Sequence, residues 1–198
     1  SESGELLKET GSGENGMYRI EIPWQEQVTL KASLGTYSNF SKVLQMNTFE
    51  NDENIEVNFE LVAYDDIVTE VEGQKVIKLK KFYFNRGAST ITPEIANELE
   101  KVVNAVARFP QLQLRIETHT DSRGGSATNF RITQARSDAI KNYLISKGVP
   151  ATNILYAIGY GEDKILNNCT NGVYCLEMLH KQNQRSLIVV LNDNVLFN

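Results

Sequence analysis

The chain has no apolar run approaching the roughly 18 residues that a membrane-crossing helix needs, so no membrane insertion of that kind is expected of it. Its start lacks the charged-then-apolar pattern of a signal peptide. A chain opening at Ser1 without Met could equally be a mature form or an excised fragment. Dense Lys/Arg clusters and stacking aromatics are missing, so no nucleic-acid partner is expected. Only two histidines and two cysteines are present. Cys169, Cys175 and His180, with His119 as a fourth ligand, could be tried as a zinc set. Their C-x5-C-x4-H spacing is unlike a finger's, so no metal or cofactor is expected. No nucleophile elbow is present. A triad of His119, Asp121 and Ser122 would crowd acid and base onto one strand end, so the reading is non-enzymatic.

What is present reads as a globular composition, with 41% hydrophobic and 23% charged residues among 198. The net charge of −5 is uneven. Residues 1–75 carry 15 acidic and 5 basic side chains, and residues 76–198 carry 10 and 15. That shift points to two domains with different partners. The two cysteines bracket Thr170-Asn171-Gly172-Val173-Tyr174, a stretch with a turn-forming Asn-Gly that suits a small disulfide loop. A local disulfide implies an oxidising compartment such as a periplasm.

Residues 1–64 read as β. Strands are expected at Glu5–Thr10, Met17–Ile22, Val28–Leu34 and Ile55–Val62, from alternation at period two and the turn residues between them. Such a piece suggests a small, incomplete sandwich, with residues 65–75 as an acidic linker. From Val76 to Phe84 another strand is expected. Thr92 and Pro93 then open a helix whose Ile95, Leu99, Val102, Val103, Val106 and Phe109 share one face, and Pro110 closes it. A strand at Leu112–Thr118 precedes a helix from about Ser126 to Lys147, stopped by Gly148 and Pro150. Strands at Ile154–Ile158 and Ser186–Leu191 follow, with a short helix near Leu176–Lys181 between them. The fold class is α+β: a β-α-β-α-β-β mixed sheet with helices packed on it over residues 76–198, preceded by the small all-β module.

Asp121 and Arg136 are the pair to watch. A carboxylate after a strand and a guanidinium on the next helix can clamp a zwitterion, the first taking an ammonium and the second a carboxylate. Taken singly, each is more commonly a cap or an ion-pair partner. Around them run Thr120, Asp121, Gly124, Asn129, Ile132, Thr133 and Arg136, after Phe82-Tyr83-Phe84-Asn85 at the first strand's end. This pattern resembles the OmpA-like C-terminal domain, a peptidoglycan-binding module. It departs from the usual pattern at Ile132-Thr133, where Leu-Ser is usual, and at Thr118, where Gly is usual.

The resemblance implies non-covalent binding of the diaminopimelate residue of the peptidoglycan stem peptide. Asp121 would meet its ammonium and Arg136 its carboxylate. Thr120, Gly124, Asn129, Asn85 and Arg185 would complete the site. Gly124 would let the backbone approach closely, and Asn129 would share the helix face of Arg136. The family often has two arginines where this chain has Gln184-Arg185. The segment around Cys169 and Cys175 resembles an insertion in OmpA-like domains of Bacteroidetes. The Gly13–Ile20 start resembles carboxypeptidase-regulatory-like modules found with type IX secretion. Together these imply a periplasmic anchor associated with the outer membrane, with envelope proteins as partners of residues 1–75. The alternative is a scaffold or docking module of an envelope secretion complex.

Overall fold

The computed structural model describes residue 1, residues 3–49 and residues 54–193. Residues 194–198, assigned above to the second domain, lie outside the described residues. The chain divides into two compact units, Ser1–Val62 and Ala63–Asn198.

In the first unit, β1 (Gln27–Ala32) pairs antiparallel with β2 (Phe40–Gln45), Val28 opposite Leu44. β1 was expected from its alternation. β2 was not, because Phe40-Ser41-Lys42-Val43-Leu44-Gln45 does not alternate. The segments Glu5–Thr10, Met17–Ile22 and Ile55–Val62 form no strands. They are tied by isolated contacts instead. Tyr18 Oη donates to Val57 O at 2.8 Å, and the Phe59 ring lies 5.5 Å from Tyr18 and 4.9 Å from Phe40. The expected sandwich is therefore not formed among the described residues. A single two-stranded sheet has no second sheet to close a core against. Accordingly, among the described residues here, only Val28 and Val57 are buried hydrophobics, while Leu6, Met17, Trp24 and Leu34 stay exposed.

The second unit opens with α1 (Tyr64–Ile67) and the hairpin β3 (Val68–Val71) and β4 (Gln74–Ile77). Residues 65–75 are therefore structured, where a linker was expected. The hairpin turns on Glu72 and Gly73, both at positive φ (53° and 72°), as a two-residue turn of the twisted type demands. The five-stranded sheet has the order β3-β4-β7-β5-β6, with β5 (Leu114–His119), β6 (Ile154–Gly159) and β7 (Arg185–Val190). β5 and β6 are parallel, and the other neighbours are antiparallel.

α2 (Pro93–Arg108) forms where expected, with Thr92 Oγ1 accepting from Ile95 N. Its apolar stripe packs with Leu114, Ile116 and Ile188 in a core that also holds Phe109, Ile140 and Leu144. α3 (Ser126–Ser146) is stopped at Gly148, at φ 97°, with Val149 N bonding back to Leu144 O.

The buried face of α3 is polar over its first three turns: Asn129, Thr133, Arg136 and Ser137 precede Ile140 and Leu144. Hydrogen bonds stitch it to the sheet. Thr118 Oγ1 donates to Thr133 O, Ser137 Oγ to Ile158 O, and Gly159 N to Gln134 Oε1. Helix and strand meet most closely at Gly159, where a Cβ would lie 2.1 Å from Gln134 N. α4 (Glu177–Asn183) follows the loop closed by the Cys169–Cys175 disulfide.

Candidate functional site

Asp121 ends the turn that leaves β5, and its carboxylate is almost fully buried. Arg123 wraps around it: Arg123 N and Nε donate to Oδ1 at 2.9 and 3.1 Å, and Nη2 donates to Oδ2 at 2.9 Å. Gln184 Nε2 also donates to Oδ2. Burial pushes the carboxyl's pKa up, but the Arg123 and Gln184 donors outweigh it and hold the pKa at about 2.

The folded value lies below the ordinary 3.8, so this carboxylate contributes stability above about pH 4 and loses it as pH falls toward 2. Asp121→Asn is therefore expected to flatten the acid limb of stability by on the order of 2 kcal/mol between pH 5 and pH 2. Urea midpoints of both proteins across that range check it. Parallel acid limbs would show that Asp121 does not carry this linkage.

Arg136 stands across from this carboxylate on α3. Nε donates to Ala88 O at 2.9 Å and Nη2 to Asn85 O at 3.1 Å, and the guanidinium lies 5.1 Å from the centre of the Phe84 ring. Two carbonyls and an aromatic face orient the group without neutralising it. Among the described residues it has no ion pair with a carboxylate. Burial lowers its pKa, opposed by the nearby charge of Asp121. A small cleft beside Arg136 is lined by Phe82, Tyr83, Phe84, His119, Gln184, Arg185 and Ser186, and Gln184 links it to the Asp121 carboxylate.

The other expected site residues divide by role. Asn129 is buried and donates from Nδ2 to Asp121 O at 3.3 Å and to Glu162 Oε2 at 2.5 Å, so it holds the Asp121 backbone. Gly124 takes a positive φ of 105°, and a side chain there would meet the Asn129 amide. Thr120 is placed by its N–H on Gly161 O at 2.9 Å. Asn85 contributes its carbonyl, to Arg136.

Arg185 is spent elsewhere. Nε and Nη2 grip Glu72 at 2.7 and 2.9 Å, Nη1 donates to Asn183 O, and Nη2 reaches Lys164 O. It pins the hairpin turn. Arg123 and Gln184, which sequence reasoning did not place in the site, touch Asp121 directly. The only signal for Arg123 was its position two residues beyond Asp121, the spacing of a side-chain-to-backbone turn.

The alternative chemistries do not assemble. His119 is buried, stacked 5.1 Å from Tyr160, and its Nε2 lies 3.4 Å from Glu117 Oε2 without hydrogen-bond alignment. It bonds neither Asp121 nor Ser122, and the Ser122 hydroxyl donates to Cys169 O at 2.6 Å. Burial lowers the pKa of His119, with Glu117 opposing. The disulfide consumes both thiols that a zinc set would need.

Known proteins resemble this part of the chain. A peptidoglycan-associated lipoprotein of Brucella melitensis biotype 1 is 30% identical over 110 residues, 56% of this chain and 62% of that protein. Outer membrane porin F of Pseudomonas fluorescens is 32% identical over 91 residues, 46% of this chain and 27% of that protein. The chain thus spans less than two thirds of the length of these relatives. A crystal structure of a MotB-like protein from Desulfovibrio vulgaris shares the fold, with a TM-score of 0.51 and 20% identity over 62% of this chain and 76% of that one. Residues 83–173, which include Asp121, Asn129 and Arg136, match the model of the OmpA family, so this stretch of the second unit is similar to OmpA-family domains.

Proposed function

We propose that the second unit binds the stem peptide of diaminopimelate-type peptidoglycan non-covalently and without catalysis, holding an envelope assembly to the wall. The observation that carries this is the pair Asp121 and Arg136: two buried opposite charges near enough for the charge of Asp121 to act on the guanidinium, with no direct ion pair between them. That arrangement suits a ligand bearing an ammonium and a carboxylate on one carbon. Arg136 keeps its charge oriented by two carbonyls and the Phe84 ring, so a ligand carboxylate adds the missing counter-charge.

Asp121 already has a cation. Arg123 is half exposed and also bonds Glu177 at 2.6 Å, so it can yield the carboxylate to an ammonium and keep an anionic partner. The relatives' names, peptidoglycan-associated lipoprotein and outer membrane porin, support a periplasmic, outer-membrane-associated place for this unit. Residues 1–62, with their exposed Leu6, Met17 and Trp24, belong to the same proposal as the part that docks an envelope protein, in keeping with the type IX secretion resemblance. Each binding event is modest, since polar contacts are offset by desolvation and by ordering of the peptide. A polymeric wall strengthens it through avidity.

Co-sedimentation with purified sacculi tests the proposal. The wild type is expected to pellet, and Asp121→Ala and Arg136→Ala to lose about tenfold or more in apparent affinity, the scale of one charge-assisted hydrogen bond. Circular dichroism confirms that each variant is folded. Equal retention of all three folded proteins would sink the proposal.

A further inference from the structure

The disulfide loop borders an open pocket of about 320 Å³, lined by Ser122, Arg123, Asn171, Tyr174, Glu177 and His180 among others. Its volume lies at the lower end of small-molecule sites. Three observations mark it as a ligand site. His180 is more than nine-tenths buried on its wall, and its Nδ1 has no hydrogen-bond partner. Tyr174 is 92% exposed at the rim, although the loop bearing it is closed by a covalent bridge and held at its base by Ser122 Oγ on Cys169 O. Arg123 belongs to both sites: one guanidinium bonds Asp121 and lines this cavity.

We infer that this cavity is a carbohydrate subsite, taking an N-acetylated sugar of the same polymer whose peptide binds at the Asp121–Arg136 pair; the inference rests on that reading. The chemistry fits. The polar lining side chains Ser122, Arg123, Asn171, Glu177 and His180 supply donors and acceptors for hydroxyl and acetamido groups. The Tyr174 ring supplies an apolar face with a polar tip, which suits the alternating faces of a pyranose. The two sites are neighbours, since Arg123 bonds Asp121 and lines the cavity. The lining mixes polar and apolar surface in nearly equal parts, as a pyranose does.

The test uses the whole chain and two probes in calorimetry: a disaccharide–tripeptide muropeptide containing meso-diaminopimelate, and the same tripeptide without sugar. The wild type is expected to bind the muropeptide about fivefold or more tightly than the peptide. Tyr174→Ala should bring the muropeptide down to the peptide's affinity and leave the peptide unchanged. Tyr174→Phe should keep most of the difference, and Asp121→Ala should weaken both probes. Equal wild-type affinities for the two probes, both dependent on Asp121, would overturn the sugar subsite and leave peptide binding standing. An effect of Tyr174→Ala on a protein partner alone would also overturn it. Binding of neither probe would overturn the peptide reading and the subsite with it.

Discussion

Gly159→Ala is expected to destabilise the second unit by roughly 3 kcal/mol or more, with a melting temperature lower by on the order of 10 °C. The added Cβ would lie 2.1 Å from Gln134 N, 2.4 Å from Thr133 C and 2.6 Å from Gln134 Cα. All three are backbone atoms of α3, so no side chain can swing aside. The helix must lift from β6 by more than an ångström. That movement breaks the bonds holding its polar face: Ser137 to Ile158 O, Gln134 to Ala157 O and to Gly159 N, and Gly161 N to Thr133. Each leaves a buried donor or acceptor unpaired, at about 1–3 kcal/mol apiece. It also drags Asn129, about one turn away, off Asp121 O, and Arg136, less than one turn away, off the Ala88 and Asn85 carbonyls. Urea unfolding followed by circular dichroism checks the figure. A change under about 1 kcal/mol would show that α3 does not seat on Gly159 as described.

Arg185→Ala carries the next largest expected effect, a loss of about 3 kcal/mol, the lower end for breaking a buried ion pair. Its guanidinium is almost wholly enclosed, and Glu72 is partly exposed, so the orphaned carboxylate can regain some water. Glu72 also sits at φ 53°, a conformation that costs a non-glycine residue energy and that the bidentate grip helps to hold. Lysine cannot reproduce the fork, so Arg185→Lys should recover little. The second readout matters more for function. Every nitrogen of Arg185 already donates within the protein, so the affinity of folded Arg185→Lys for a diaminopimelate peptide should change less than about threefold. A loss of tenfold or more, with stability intact, would place Arg185 at the ligand.

How far the chain's structure could be read in advance depended on whether its determinants were local. α2 was legible because Thr92, Pro93 and an unbroken apolar stripe lie within 18 residues. α3 was legible from its stop at Gly148, although its inner face is polar and its apolar periodicity correspondingly weak. The β3–β4 hairpin was not legible. Asp65 to Gly73 reads as an acidic connector until Arg185, 113 residues from Glu72, is seen to hold the turn. The candidate site shows the same division. Asp121, Gly124, Asn129 and Arg136 were set by spacing along one turn and one helix. The contribution of Gln184 could only appear once β7 was placed beside β5. In the first unit, alternation was a poor guide. Met17–Ile22 and Ile55–Val62 alternate without a neighbouring strand to pair with, and alternation describes a half-buried surface only where a core exists to bury it.

The central claim is that Asp121 and Arg136 read an ammonium and a carboxylate on the same ligand carbon. The most direct measurement is calorimetric titration with two stem tripeptides that differ only in carrying meso-diaminopimelate or lysine at the third position. Lysine keeps a side-chain ammonium and lacks the second carboxylate. The wild type is expected to prefer the diaminopimelate peptide by about tenfold or more, the scale of a charge-assisted pair, and Arg136→Gln to abolish that preference. Equal affinity of the wild type for the two peptides would contradict the account.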